Sequence, residues 1–171
     1  MTSNSSNKIG HVAIIMDGNS RWARQRNLKT IEGHKQGVNR LRDIVKYSAK
    51  SEITHLSVFA FSTENWKRSA SDVSDLMKLF LQSIIKEVPE LIENKVQLNF
   101  IGDIPRFSKS LVSQINSAMK DTQAKKPNLN LNVAISYGGR WDILNAIKRI
   151  KDHKINTDKL SEDDFSNLLS T

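Results

Sequence analysis

Four short apolar runs alternate with long amphipathic ones along the chain, and this alternation limits the fold more than any other feature. His11–Met16, Leu56–Phe61 and Val96–Ile101 are short and rich in branched and aromatic residues, so they read as buried strands. Leu129, Leu131, Val133 and Ile135 alternate with Asn and Ala as a fourth strand. Between these runs lie helices. Val38, Leu41, Ile44 and Val45 recur at helical spacing within Gly33 to Glu52. A longer stripe, from Val73 through Leu76, Phe80 and Ile84 to Val88, follows the capping-box sequence Ser69-Ala70-Ser71-Asp72. Pro89 is expected to kink or end that helix. A third helix is expected over Phe107–Asp121, a fourth after Gly138-Gly139, and a short one near Ser161–Asp164. Strands alternating with long helices give an α/β fold: a mainly parallel sheet flanked by helices on both faces. The 171 residues suit one domain, expected over residues 9–171, after a polar N-terminal stretch 1–8 expected to be disordered.

The composition removes several kinds of chemistry. With no Cys, the chain has no disulfide framework, thiolate nucleophile or Cys-ligated metal centre. The start, Met1 to Asn7, has no apolar core of a secretory signal, and Val12–Met16 falls far short of the ~20 apolar residues of a membrane span. A cytoplasmic protein, peripheral to a membrane at most, is expected. The net charge of +8 is uneven, with ten Lys/Arg against four Asp/Glu in residues 1–60. That basic first third fits either an anionic partner (phosphate, nucleic acid or acidic lipid) or a solubilising surface.

In open α/β sheets ligands bind beyond the carboxyl ends of the strands, so the residues after each strand matter most. The first strand is followed by Asp17-Gly18-Asn19-Ser20-Arg21-Trp22. Gly18 permits close approach to the backbone, Arg21 and Arg24 supply charge, and Asp17 is a natural ligand for Mg²⁺ beside a phosphate. The plainer reading is a helix cap and a turn. The loop matches neither a Walker A sequence nor a dinucleotide fingerprint. The second strand is followed by Ser62-Thr63-Glu64-Asn65-Trp66-Lys67-Arg68, which concentrates hydroxyls, an amide, a carboxylate and a guanidinium. These are also ordinary turn residues. His34, in Gly33-His34-Lys35-Gln36-Gly37, either faces a phosphate or sits on the surface. Nothing resembles a nucleic-acid-binding module, so nucleic acid is not an expected partner.

His11-Val-Ala-Ile-Ile-Met-Asp-Gly-Asn-Ser-Arg-Trp-Ala23 resembles the opening signature of the cis-prenyltransferases, the undecaprenyl diphosphate synthase family. Gly33-His34-x-x-Gly37, Phe59–Arg68, Ile101-Gly-Asp103 and Tyr137-Gly-Gly-Arg-Trp-Asp142 follow in that family's order. The resemblance implies an Mg²⁺-dependent enzyme that condenses isopentenyl diphosphate with an allylic diphosphate, usually farnesyl diphosphate, to form a cis-polyprenyl diphosphate. It implies that Asp17 binds the metal and is essential. Gly18, Asn19, Ser20, Arg21 and His34 would hold the allylic diphosphate, with Trp22 beside them. Asn65 matches the proton acceptor, and Ser62, Thr63, Glu64, Trp66 and Arg68 match substrate-binding positions. The growing chain would run beside the long helix, past Leu76 and Leu79. The family also implies a homodimer, and its lipid product implies work at a membrane surface.

The sequence departs from the pattern at three places. Ser20 stands where Gly is usual, and Thr30 stands where an Arg is common. Nothing from Asp152 to Thr171 resembles the later Arg-Thr-x-Gly-Glu-x-Arg-x-Ser-Asn-type motif that binds isopentenyl diphosphate. The expectation is therefore a domain incomplete at its C-terminus. The alternative to an active enzyme is an inactive or partner-dependent subunit that keeps only the allylic site.

Overall fold

The structure is a computed structural model and describes residues 9–171; the expected disorder of residues 1–8 lies outside the described residues. Four strands form one sheet: β1 (His11–Ile15), β2 (His55–Ser62), β3 (Val96–Ile101) and β4 (Leu129–Tyr137). Every pairing is parallel and the order is β1-β2-β4-β3. Parallel neighbours need long crossovers, and helices α2 (Thr30–Ala49), α3 (Ala70–Glu93) and α4 (Lys109–Asp121) provide them. Three further α-helices complete the described fold: α1 (Asn19–Arg24), α5 (Gly139–Asp152) and α6 (Glu162–Ser166). The expected α/β architecture is present.

Strand periodicity divides the sheet into two unlike faces. Leu56, Val58, Leu98, Leu131 and Val133 form the buried face and pack under the helices with Leu76, Ile84, Leu91, Leu111 and Ile115. Burying each such aliphatic side chain contributes about 1.5–3 kcal/mol. The opposite face carries a polar ladder. His11 shares a hydrogen bond with Ser57 (2.8 Å), Asn132 donates to Ser57 (3.4 Å), and Asn99 donates to Asn132 (3.1 Å). Asn132 is one of the Asn residues that alternate with the apolar positions of β4 in the sequence.

Local signals fix the helix ends. Ser69 accepts from the Asp72 N–H and Ser108 from Leu111 N–H, capping α3 and α4. Thr122 closes the far end of α4: its buried hydroxyl donates to the Ala118 carbonyl (2.7 Å) and accepts from Leu98 N–H (3.1 Å), joining α4 to β3. Pro89 does not end α3, which continues to Glu93. The carbonyl deprived of its partner belongs to Ile85, an exposed residue, so water can satisfy it.

Candidate functional site

The loop after β1 is built on a left-handed residue. Gly18 has φ 92°, which only glycine adopts without strain, and it reverses the chain into α1. The reversal lets Asp17 grip its own turn. One carboxylate oxygen accepts from Gly18 N–H at 2.6 Å and the other from Arg21 at 2.7 Å. Both side chains stay open to solvent, Asp17 at 76% and Arg21 at 69% exposure. The carboxylate is thus oriented but accessible. Trp22 lies on α1 with the Arg26 guanidinium 4.4 Å from its ring centre.

Asn19 connects this loop to α2 through two glycines one helical turn apart. A Cβ on Gly33 would lie 2.0 Å from the Asn19 backbone oxygen, and one on Gly37 would lie 2.7 Å from the Asn19 side chain. Bare backbone at Gly33 lets α1 sit this close, and at Gly37 it leaves room for the Asn19 side chain. His34, between them, comes within 3.5 Å of Ser20. Burial, more than the nearby Arg68 charge, lowers the His34 pKa against the opposing pull of Asp72. The lowered pKa favours the neutral ring, which offers an anion one N–H donor and no charge.

The segment after β2 is a 3-10 turn, Thr63–Lys67. Ser62 and Asn65 cap each other, and Asn65 accepts from Ser62 N–H at 2.9 Å. The exposed Glu64 is held below the usual carboxylate range by its own backbone N–H and by the Ser62 and Thr63 hydroxyls. Thr63 fits because Gly138 has no side chain: a Cβ there would lie 2.5 Å from the Thr63 hydroxyl. Trp66 turns inward instead of toward the loop. It meets Phe61 edge-to-face and Phe107 at a tilt, with ring centres 5.3 and 5.5 Å away, and its N–H donates to the buried Ser136 hydroxyl at 2.9 Å. Arg106 lies over the same ring at 4.5 Å.

Two hollows meet at His34. One is polar, bounded by Lys29, Thr30, Arg68, Asp72 and Asp75. The other is a long apolar channel that begins at Met16, Asn19 and His34 and runs between α2 and α3 over the buried face of the sheet. Leu76 and Leu79 line it, as the sequence resemblance implied. Asp17 holds Gly18 and Arg21, Ser20 approaches His34, Asn19 packs on the glycines that flank His34, and the electrostatic influence of Arg68 on His34 joins the second loop to them. The sequence reading did not single out Gly37 as a packing residue, or Ser136 and Arg106 as anchors of Trp66. For the glycines, the four-residue spacing of Gly33 and Gly37 was the available signal, since it places both on one helix face.

A family model described as "Putative undecaprenyl diphosphate synthase" matches residues 15–171. The chain belongs to that family. It is 44% identical over 157 residues to the ditrans,polycis-undecaprenyl-diphosphate synthase ((2E,6E)-farnesyl-diphosphate specific) of Haemophilus influenzae, covering 92% of this chain and 65% of the relative. It is 47% identical over 140 residues to an isoprenyl transferase of Neisseria gonorrhoeae, covering 82% of this chain and 56% of that protein. The chain therefore spans less than two thirds of the length of either relative. Among solved structures it resembles lavandulyl diphosphate synthase from Lavandula x intermedia, crystallised with dimethylallyl diphosphate, with TM-score 0.87 and 32% identity over 94% of this chain and 70% of that one. Cis-prenyltransferase membership and fold thus rest on both sequence and structure.

Magnesium fits this site in one way. Among the described residues no group of three or more His, Asp or Glu side chains is arranged to hold a metal. Mg²⁺ commonly binds through one or two carboxylates together with substrate phosphates, and the accessible Asp17 offers that arrangement.

Proposed function

We propose that this chain carries out cis-prenyl transfer, condensing isopentenyl diphosphate with an allylic diphosphate such as farnesyl diphosphate. One observation supports this most: an apolar channel opens at Met16, Asn19 and His34, and the Asp17–Arg21 pair belongs to the same loop as Met16 and Asn19. A diphosphate joined to a hydrocarbon tail has that same division of polarity. Arg21 and Arg68 match the charge of the head group, His34 adds a hydrogen-bonding ring, and Val38, Leu41 and Leu79 accept the tail.

The reaction breaks the allylic carbon–oxygen bond, and diphosphate leaves with the electron pair. The isopentenyl double bond supplies the new carbon–carbon bond, and a proton is then lost from the isopentenyl unit. Mg²⁺ bound by Asp17 and substrate phosphates would offset charge on the leaving diphosphate. Arg21 and Arg68 hold that diphosphate in place as its charge grows. Asn65 is the proposed proton acceptor: Ser62 fixes its amide oxygen, which keeps a second lone pair. Because an amide is a weak base, the released diphosphate is the final holder of the proton. Lipid product and a basic first third fit attachment to a membrane surface; no described helix is long and apolar enough to cross one.

A second reading is binding of the allylic diphosphate without turnover. Incubation with farnesyl diphosphate, radiolabelled isopentenyl diphosphate and Mg²⁺ separates the two. Labelled polyprenyl product that disappears in Asp17→Ala supports transfer. Calorimetric binding of farnesyl diphosphate without product establishes the second reading, and no binding refutes both.

A further inference from the structure

The apolar channel is lined by two ion pairs at a defined depth. Arg42 grips Glu87 with two hydrogen bonds, one of them 2.6 Å from Nε to Oε2, between side chains only 25% and 20% exposed. One turn further along α2, Lys46 meets Glu90 at 2.7 Å, with side chains 47% and 37% exposed. All four residues line the channel whose other walls are Val38, Val45, Ile84 and Leu91. The two pairs form one seam joining α2 to α3.

The chemistry of this seam is unlike that of a structural closure. A half-buried ion pair is poor glue, because desolvation cancels much of its attraction and an apolar pair of equal volume often does better. What it offers is a closure that can part, since water takes up the separated charges at the surface. Glu87 also holds the Arg42 guanidinium above its usual pKa range, chiefly through their hydrogen bonds. Arg42 therefore keeps its charge, and salt is the natural disruptor of the pair. Arg42 lies about two turns beyond His34, or about 12 Å along the helix axis, and Lys46 lies about 18 Å beyond.

We propose that the Arg42–Glu87 and Lys46–Glu90 pairs are a length-determining seam: closed, they favour apolar chains that stop short of them, and longer chains must part them. This rests on the channel reading given under Proposed function and adds the residues that set its specificity. The pairs act through the spacing of α2 and α3, not through contact with reacting atoms.

The test measures calorimetric affinities of dodecyl, hexadecyl and eicosyl diphosphate for the 171-residue chain, alongside the matching alcohols, at low and high salt. In the Glu87→Gln/Glu90→Gln variant the eicosyl-to-dodecyl affinity ratio rises about fivefold, equivalent to about 1 kcal/mol. High salt raises the ratio in the parent chain and leaves the variant unmoved. Arg42→Lys, which keeps the charge and loses the fork, falls between them and guards against a folding defect in the double variant. A ratio that ignores both substitution and salt overturns the seam while leaving the diphosphate site intact. Alcohols that bind with a seam-dependent length preference while diphosphates gain nothing would overturn the head-group reading and uphold the seam. Failure of every chain to bind overturns both.

Discussion

Gly33→Ala sets two known effects against each other, and the structure says which wins. In a helix interior, Ala for Gly stabilises by about 0.8–1.0 kcal/mol. Here, however, the added Cβ would lie 2.0 Å from the Asn19 carbonyl oxygen, 2.8 Å from its carbon and 3.1 Å from the Ala23 Cβ. The nearest obstacle is backbone, so no rotamer change relieves it. α1 must retreat from α2 by roughly 1 Å or more, and overpacking of this kind costs about 1–3 kcal/mol in small-to-large series. Because the contact is with backbone, the upper part of that range applies. After subtraction of the helix gain, the net loss is about 1–2 kcal/mol, a fall of roughly 2–8 °C in Tm for a domain of this size. Urea unfolding gives the free energy, and calorimetry with farnesyl diphosphate gives the effect on the site. Binding should weaken more than stability alone explains, because the retreat carries Asp17 and Arg21 away from His34. A Gly33→Ala chain as stable as the parent, or more so, would refute the reasoning: helix propensity would have won and α1 would not be held by close approach. Gly37→Ala is the internal control. There the obstacle is the Asn19 side chain at 2.7–2.9 Å, which can swing aside, so its stability cost should be smaller.

Other substitutions test the remaining supports. Thr122→Val removes a hydroxyl that accepts from the Leu98 N–H inside the protein, and should cost about 1–3 kcal/mol in urea unfolding because that donor is left unpaired. Ser136 is buried with φ 49°, so Ser136→Gly relieves backbone strain while losing the Trp66 bond, whereas Ser136→Ala loses the bond and keeps the strain. Thermal melts should therefore rank Ser136→Ala below Ser136→Gly. The His34 pKa is lower folded than unfolded, so the unfolded chain binds the extra proton first. Stability should decline as pH falls below about 6.5 and stop declining below the folded pKa, and His34→Gln should flatten that slope in pH-dependent urea titrations.

How much of this was legible in the sequence follows from the range of each interaction. The strands and helices announced themselves because one alternating pattern served both local geometry and burial, and Val96–Ile101 even kept its limits. Of the two effects expected of Pro89, ending the helix did not occur, because the carbonyl that loses its partner belongs to the exposed Ile85. The site was legible as a set of strand-end loops but not as a packed object. Nothing local says that Trp66 faces Ser136, seventy residues away, instead of a ligand. The left-handed Ser136 is the residue that sequence reading was least able to find: glycine suits that backbone better, and serine makes sense only once the Trp66 N–H is seen to need an acceptor. The site loop is therefore held in place from the interior by a strained residue whose side chain has a use. A search for functional residues limited to those that face the ligand misses the ones that fix where the ligand-facing residues stand.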